Sequence, residues 1–132
     1  MPIGQRVADF SGSTVDGEAV GRDLLTDETL VAFLAPGCDP CRKSLPELVE
    51  TAAHWPGGRA CTLLVISGDE EKAGEYVTTL SPVARVLVEA PDGPVGTAFQ
   101  ADTYPLFGSV DSYGRVLRSE LGPAAVLVVT PV

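Results

Sequence analysis

Leu30-Val31-Ala32-Phe33-Leu34-Ala35-Pro36-Gly37-Cys38-Asp39-Pro40-Cys41-Arg42-Lys43 is the stretch on which the fold turns. Its first half, with Thr29 in front, is a near-continuous apolar run, the pattern of a strand buried on both faces of a sheet. Its second half opens a helix: Leu45, Leu48, Val49, Ala52 and Ala53 keep helical spacing until Trp55-Pro56-Gly57-Gly58 breaks it. Cys38 and Cys41 lie at the junction. A thiol there faces unpaired backbone N–H groups and the positive end of the helix dipole, which favour the thiolate that carries out disulfide exchange. The second thiol, one turn on, is close enough to close a disulfide with the first, so the pair reads as a reversible dithiol. Asp39 between them repels the thiolate and Arg42 offsets part of that repulsion, which places the pair at the reducing end of the scale.

Working outward, Asp9 to Leu25 alternates weakly around Val15-Asp16-Gly17, a short hairpin or extended lead-in. Cys61 to Ser67 is a second buried strand. Asp69 to Leu80 opens with acids, as a helix N-terminus does, and carries Ala73, Tyr76, Val77 and Leu80 on one face. Arg85 to Val88 is a third strand and Pro94 to Phe99 a brief helix. Leu106 to Val110 and Arg115 to Leu121 form an antiparallel hairpin around Tyr113-Gly114, and Ala124 to Val132 stays ambiguous. Pro46 falls inside the first helix, where it removes a hydrogen bond and predicts a kink rather than an end, because the apolar spacing continues to Ala53.

At 132 residues the chain is one domain, 1–132, long enough to close a core without staples. With 45% apolar and 20% charged residues it reads as globular. Nine basic residues against eighteen acidic ones give a net charge of −9, and no basic cluster exceeds Arg42-Lys43, so nucleic acid is excluded as a partner. Three cysteines make one pair plus one left over, not a disulfide scaffold. No stretch has the apolar length of a membrane span, and the N-terminus lacks the pattern of a signal peptide. A zinc site built from Cys38, Cys41, His54 and Cys61 fails on geometry. A helix over 41–54 would separate Cys41 from His54 by about 20 Å at 1.5 Å per residue, whereas zinc ligands lie within about 2.3 Å of the metal. No metal is therefore expected; Cys61 reads as a small apolar core residue and His54 as an exposed helix-end residue.

Cys-x-x-Cys after a strand, Pro46 beyond it, and Thr103-Tyr104-Pro105 followed by an apolar strand together resemble the thioredoxin fold. More narrowly, Val7-Ala8-Asp9-Phe10, Thr14-Val15-Asp16-Gly17 and the run from Cys38 to Leu48 resemble the TlpA/ResA branch of thiol-disulfide oxidoreductases. Val110-Asp111-Ser112-Tyr113-Gly114-Arg115-Val116 adds the hairpin that this branch carries. The resemblance runs from about residue 4 to about residue 121. It implies an α/β thioredoxin fold: a central mixed β-sheet flanked by helices, with an N-terminal β-hairpin extension.

The resemblance also implies roles. Cys38 would attack and Cys41 resolve, and Pro46 would bend the active-site helix. On residues alone Pro105 is a strand-start proline in the common trans form; the resemblance implies a cis proline opposite the cysteines. Tyr104 before it would offer backbone groups to an extended substrate, and Thr103, Gly37 and Pro40 would complete that surface. Gly37 stands where many relatives carry tryptophan, which predicts a bare and pliant rim. Ala32 stands where thioredoxins keep a buried aspartate as proton acceptor, while ResA-like proteins use a glutamate in a Gly-Glu pair. Gly68-Asp69 falls at that place, so Asp69 reads either as that acceptor or as a helix-capping acid.

The expected activity is reduction of protein disulfides, with protein disulfide or dithiol clients, a thiol donor, no cofactor, and a monomeric chain. Relatives of this branch are commonly tethered outside the cytoplasmic membrane by an N-terminal helix. That implies an extracytoplasmic location, with a tether in a segment preceding Met1-Pro2-Ile3-Gly4; the cytoplasm is the alternative. Two other functions stay open. A peroxiredoxin-like thiol peroxidase shares this fold, though it usually has threonine or serine three residues before its reactive cysteine, and here Ala35 precedes Cys38. A non-catalytic redox-fold binding domain would leave Cys38 and Cys41 as relics.

Overall fold

Alternation along two apolar strands builds the core. The computed structural model describes residues 1–120. In it β3 (Thr29–Leu34) and β4 (Thr62–Ser67) are parallel neighbours buried at every position. Successive side chains of a strand point to opposite faces. Leu30, Ala32 and Leu34 therefore join Leu64 and Ile66 in one apolar cluster, while Val31 and Phe33 join Leu63 and Val65 in another. A sheet apolar on both faces needs a cover on each.

The first face is covered by α1 (Asp39–Ala53), which contributes Leu45, Leu48 and Ala52, and by α2 (Glu70–Leu80), which contributes Ala73, Tyr76 and Leu80. The second is covered by α3 (Pro94–Ala98) and the N-terminal segment. There Phe99 packs against Phe10 and Phe33 with ring centroids 5.2 and 5.3 Å apart. The sheet order is β5-β4-β3-β6-β7, with β5 (Val86–Glu89) parallel to β4, and β6 (Leu106–Val110) and β7 (Val116–Glu120) antiparallel additions beyond β3. β1 (Ser11–Ser13) and β2 (Ala19–Gly21) form the separate N-terminal hairpin, and the Val15 amide, in its turn, donates to the Val86 carbonyl of β5 at 2.8 Å. This is the mixed sheet, flanking helices and hairpin extension that the resemblance implies.

Boundaries differ by a residue in places, each for a local reason. Cys61 lies in a 3-10 turn (Gly58–Cys61) rather than in β4, because Gly57 and Gly58 take left-handed conformations and the Thr62 hydroxyl bonds back to the Arg59 carbonyl at 2.7 Å. β7 starts at Val116, since the Asp111 carboxylate accepts the Tyr113 and Arg115 amides at 2.9 Å and holds both in the turn. The expected end of that strand at Leu121 and the tail 124–132 lie outside the described residues. α1 runs on through Pro46 to Ala53.

Candidate active site

The carboxyl end of β3 leads into a four-residue turn whose chemistry is local. Pro36 at its second position and Gly37 at its third, with φ +82°, fit a type II turn, closed by the Cys38 amide donating to the Ala35 carbonyl at 3.3 Å. A Cβ at residue 37 would meet nothing within 4 Å. Glycine is thus required there by conformation rather than by space. The rim expected to be bare and pliant has open space around residue 37 and is closed by this one backbone hydrogen bond.

That turn delivers Cys38 as the N-cap of α1. Its sulfur accepts the Cys41 amide at 3.2 Å, the bond a serine or aspartate cap would make. Pro40 falls in the first turn of the helix, where its missing N–H leaves no gap in the ladder. Cys38 is half-buried and Cys41 fully buried, and both are free thiols. Burial, then the hydrogen bond with Cys38, pushes the Cys41 thiol well above its ordinary range. Asp39 lies exposed in the first turn of α1. The Arg42 guanidinium pairs with Glu75 of α2 on an exposed surface, where such a pair contributes little.

From the other side, the loop before β6 approaches the same sulfur. The Tyr104-Pro105 peptide is cis, and the Tyr104 carbonyl lies 3.8 Å from Cys38 Sγ. The Tyr104 hydroxyl donates to Ser67 Oγ at 3.1 Å, so this side chain spans the distance from the thiol to the end of β4. Thr103 is exposed and bonds its neighbour Asp102. The structure thus brings Gly37, Cys38, Tyr104 and Pro105 together at the carboxyl end of β3, with Pro40 exposed beside them and Thr103 at the periphery.

Asp69 is placed differently. Its carboxylate caps α2, accepting the Lys72 amide at 2.7 Å, and it lines a cleft of ≈ 680 Å³ together with Pro36, Gly68, Glu70 and Glu89. What raises the Cys41 thiol is burial and then the neighbouring Cys38. Ala32, fully buried in the same cluster as Cys41, supplies no carboxylate.

Tyr76 is a site residue that sequence reading took only as part of an apolar face. It is buried, its hydroxyl lies 3.5 Å from the Ala35 carbonyl, and with Cys38, Lys72 and Glu75 it lines a small cavity of ≈ 130 Å³. Burial first, then its proximity to Cys41 and Cys38, raises its phenol above the usual range. Helical spacing could find its face but not its neighbour, which lies 41 residues away. Among the described residues no cluster of three or more His, Cys, Asp or Glu is placed to hold a metal ion, and no helix is long and apolar enough to cross a membrane. His54 caps the end of α1 in solvent and Cys61 is buried behind Gly57.

No family model matches this chain, and no curated protein matches it by sequence. Solved structures do. The pneumococcal exposed lipoprotein thioredoxin of Streptococcus pneumoniae is 25% identical, with 92% of this chain and 96% of that one covered at a TM-score of 0.71. A thiol:disulfide interchange protein from Bacteroides sp. is 20% identical over 98% and 88%, with a TM-score of 0.75. A secreted disulfide oxidoreductase of Mycobacterium tuberculosis is 19% identical over 86% and 84%, with a TM-score of 0.67. This chain, whose mixed five-stranded sheet carries the cysteine pair at the head of α1, matches these structures in fold over nearly its whole length and is a thioredoxin-fold protein.

Proposed function

We propose that the chain is a thiol-disulfide oxidoreductase of the TlpA/ResA type that reduces protein disulfides. The observation that carries this reading is the asymmetry of the pair: Cys38 is partly open to solvent at a helix N-cap, its sulfur facing the Cys41 amide, with Cys41 buried one turn behind it. Cys38 as thiolate attacks one sulfur of a client disulfide, and the other client sulfur leaves as a thiolate that takes a proton. Cys41 then loses its proton, attacks Cys38 Sγ in the mixed disulfide, and expels the second client thiolate. The client gains two electrons and two protons, the enzyme is left with a Cys38–Cys41 disulfide, and a dithiol donor resets it.

Pro105, Tyr104 and Gly37 form the surface against which the client's backbone lies, with Pro40 and Thr103 at its margins. Asp69 serves α2 as a cap in this reading. Ala35 in place of a hydroxyl residue, three positions before Cys38, argues against a peroxidase. An extracytoplasmic location is supported by two of the structural neighbours, one named as an exposed lipoprotein and one as secreted.

Insulin reduction by dithiothreitol, followed as turbidity, tests the activity. The wild-type protein should accelerate it, Cys38→Ser should be inert, and Cys41→Ser should accumulate mixed disulfides. Under mild alkylation Cys38 should be labelled ahead of Cys41 and Cys61; faster labelling of either buried thiol would reverse the assignment of roles.

A further inference from the structure

We propose that Tyr76 is a positioning residue for the dithiol, holding through its hydroxyl the turn that presents Cys38 to Cys41. This rests on the oxidoreductase reading only in that the Cys38–Cys41 disulfide must form. The Ala35 carbonyl is the closing acceptor of the turn Ala35-Pro36-Gly37-Cys38, taking the Cys38 amide at 3.3 Å. A carbonyl oxygen has two acceptor sites, and the Tyr76 hydroxyl, 3.5 Å away, faces the second. One carbonyl, that of Ala35, is therefore tied to both Cys38 and Tyr76.

Among the described residues, the Ala35 carbonyl is the hydrogen-bond partner of the phenol hydroxyl. The Tyr76 ring is buried in the cluster formed by α1, α2 and β3, so the hydroxyl is carried on a rigid platform, and a buried tyrosine hydroxyl ordinarily finds a partner. Gly37, in a left-handed conformation with open space around it, leaves the turn without a side chain of its own to brace it. The brace comes instead from α2, across 41 residues of sequence. With the hydroxyl removed, the carbonyl turns more freely, Cys38 samples more positions, and the effective concentration of one thiol at the other falls. The disulfide becomes easier to reduce.

The readout is the equilibrium of Cys38 and Cys41 with glutathione, quantified by acid trapping and mass spectrometry. Tyr76→Phe keeps the ring and removes the donor. Disulfide formation should weaken roughly five-fold, the size of one neutral hydrogen bond, or about 20 mV towards an oxidant, with the melting temperature little changed. Site-specific 3-fluorotyrosine, a stronger donor of nearly the same shape, should move the equilibrium the other way. A purely packing role predicts that Tyr76→Leu lowers the melting temperature while Tyr76→Phe and 3-fluorotyrosine leave the equilibrium at the wild-type value, and that result overturns the proposal. A wild-type pair that equilibrates with glutathione but does not reduce insulin defeats the reductase reading while leaving Tyr76 fully measured. A wild-type pair that forms no disulfide defeats both.

Discussion

Gly37 and Asp69 show how single residues beyond the carboxyl ends of β3 and β4 divide between conformation and chemistry. Gly37 sits at φ +82° with nothing near its absent Cβ. Gly37→Ala should cost about 1–2 kcal/mol, the left-handed penalty for an L-residue, and slow client reduction by loosening the turn that holds Cys38; urea unfolding and insulin kinetics measure the two effects. Asp69 admits a sharper test, because its two readings predict different things. As the cap of α2, Asp69→Ala should lose about 1 kcal/mol of stability and leave the pH profile of the reaction in place. As proton acceptor for Cys41, it would change that profile at nearly constant stability. The cap bond to the Lys72 amide favours the first outcome. Asp39 stands next to Cys38 in the first turn of α1, and Arg42 is paired to Glu75, so Asp39→Asn should make the pair more oxidising in glutathione equilibration. The Cys38–Cys41 pair is visible in the sequence as a short spacing, and Pro105 only through the resemblance, since on residues alone it is an ordinary strand-start proline; Tyr104-Pro105 is cis in the structure. Tyr76 and Ser67 are not visible as site residues, since each meets its partner, Ala35 or Tyr104, only after the sheet has assembled.

At the scale of elements, β3, α1 and α2 were readable because each carries its own complete periodicity: an unbroken apolar run, and two faces at helical spacing. α3 is too short for such a pattern, and what holds it is a residue outside it. The Glu89 carboxylate, at the end of β5, accepts the Val95 and Gly96 amides at 3.0 and 2.8 Å, acting as the cap that Gly93 cannot provide. The approach is tight, because a Cβ on Gly93 would lie 2.5 Å from the Glu89 carboxyl carbon. Glu89→Ala strips two charge-assisted bonds from α3. Hydrogen exchange at Val95 and Gly96 should speed up first and most, while amides in β3 keep their protection. Uniform acceleration across the sheet would mean that α3 is not a separate unit of stability. Glu89 also lines the cleft beside the cysteine turn, so the variant should disturb client binding more than the closing of the Cys38–Cys41 disulfide.

For the molecule as a whole, the redox state and the response to pH are linked through what the core buries. Burial pushes three weak acids upward: Cys41, Cys61 and the Tyr76 phenol. Each is raised in the folded state, so the fold binds these protons more tightly than the unfolded chain does. Their contribution to stability is complete below the unfolded values, about 8.5 for a thiol and about 10 for a phenol. It is lost as pH rises from there through the folded values, because the unfolded chain then ionises first. The reduced protein should therefore lose stability in urea between about pH 8.5 and 10.5. Repulsion among the eighteen acidic residues does not explain that loss, since aspartate and glutamate are fully charged well below this range. Closing the Cys38–Cys41 disulfide removes one of the three protons, because Cys41 then has none to lose. The oxidised protein should show a shallower fall over the same window, and Cys61→Ala should flatten it further in either redox state. Parallel pH dependences for the two forms would mean that Cys41 is solvated in the reduced protein, and the division into an open attacking thiol and a shielded resolving one would fail with it.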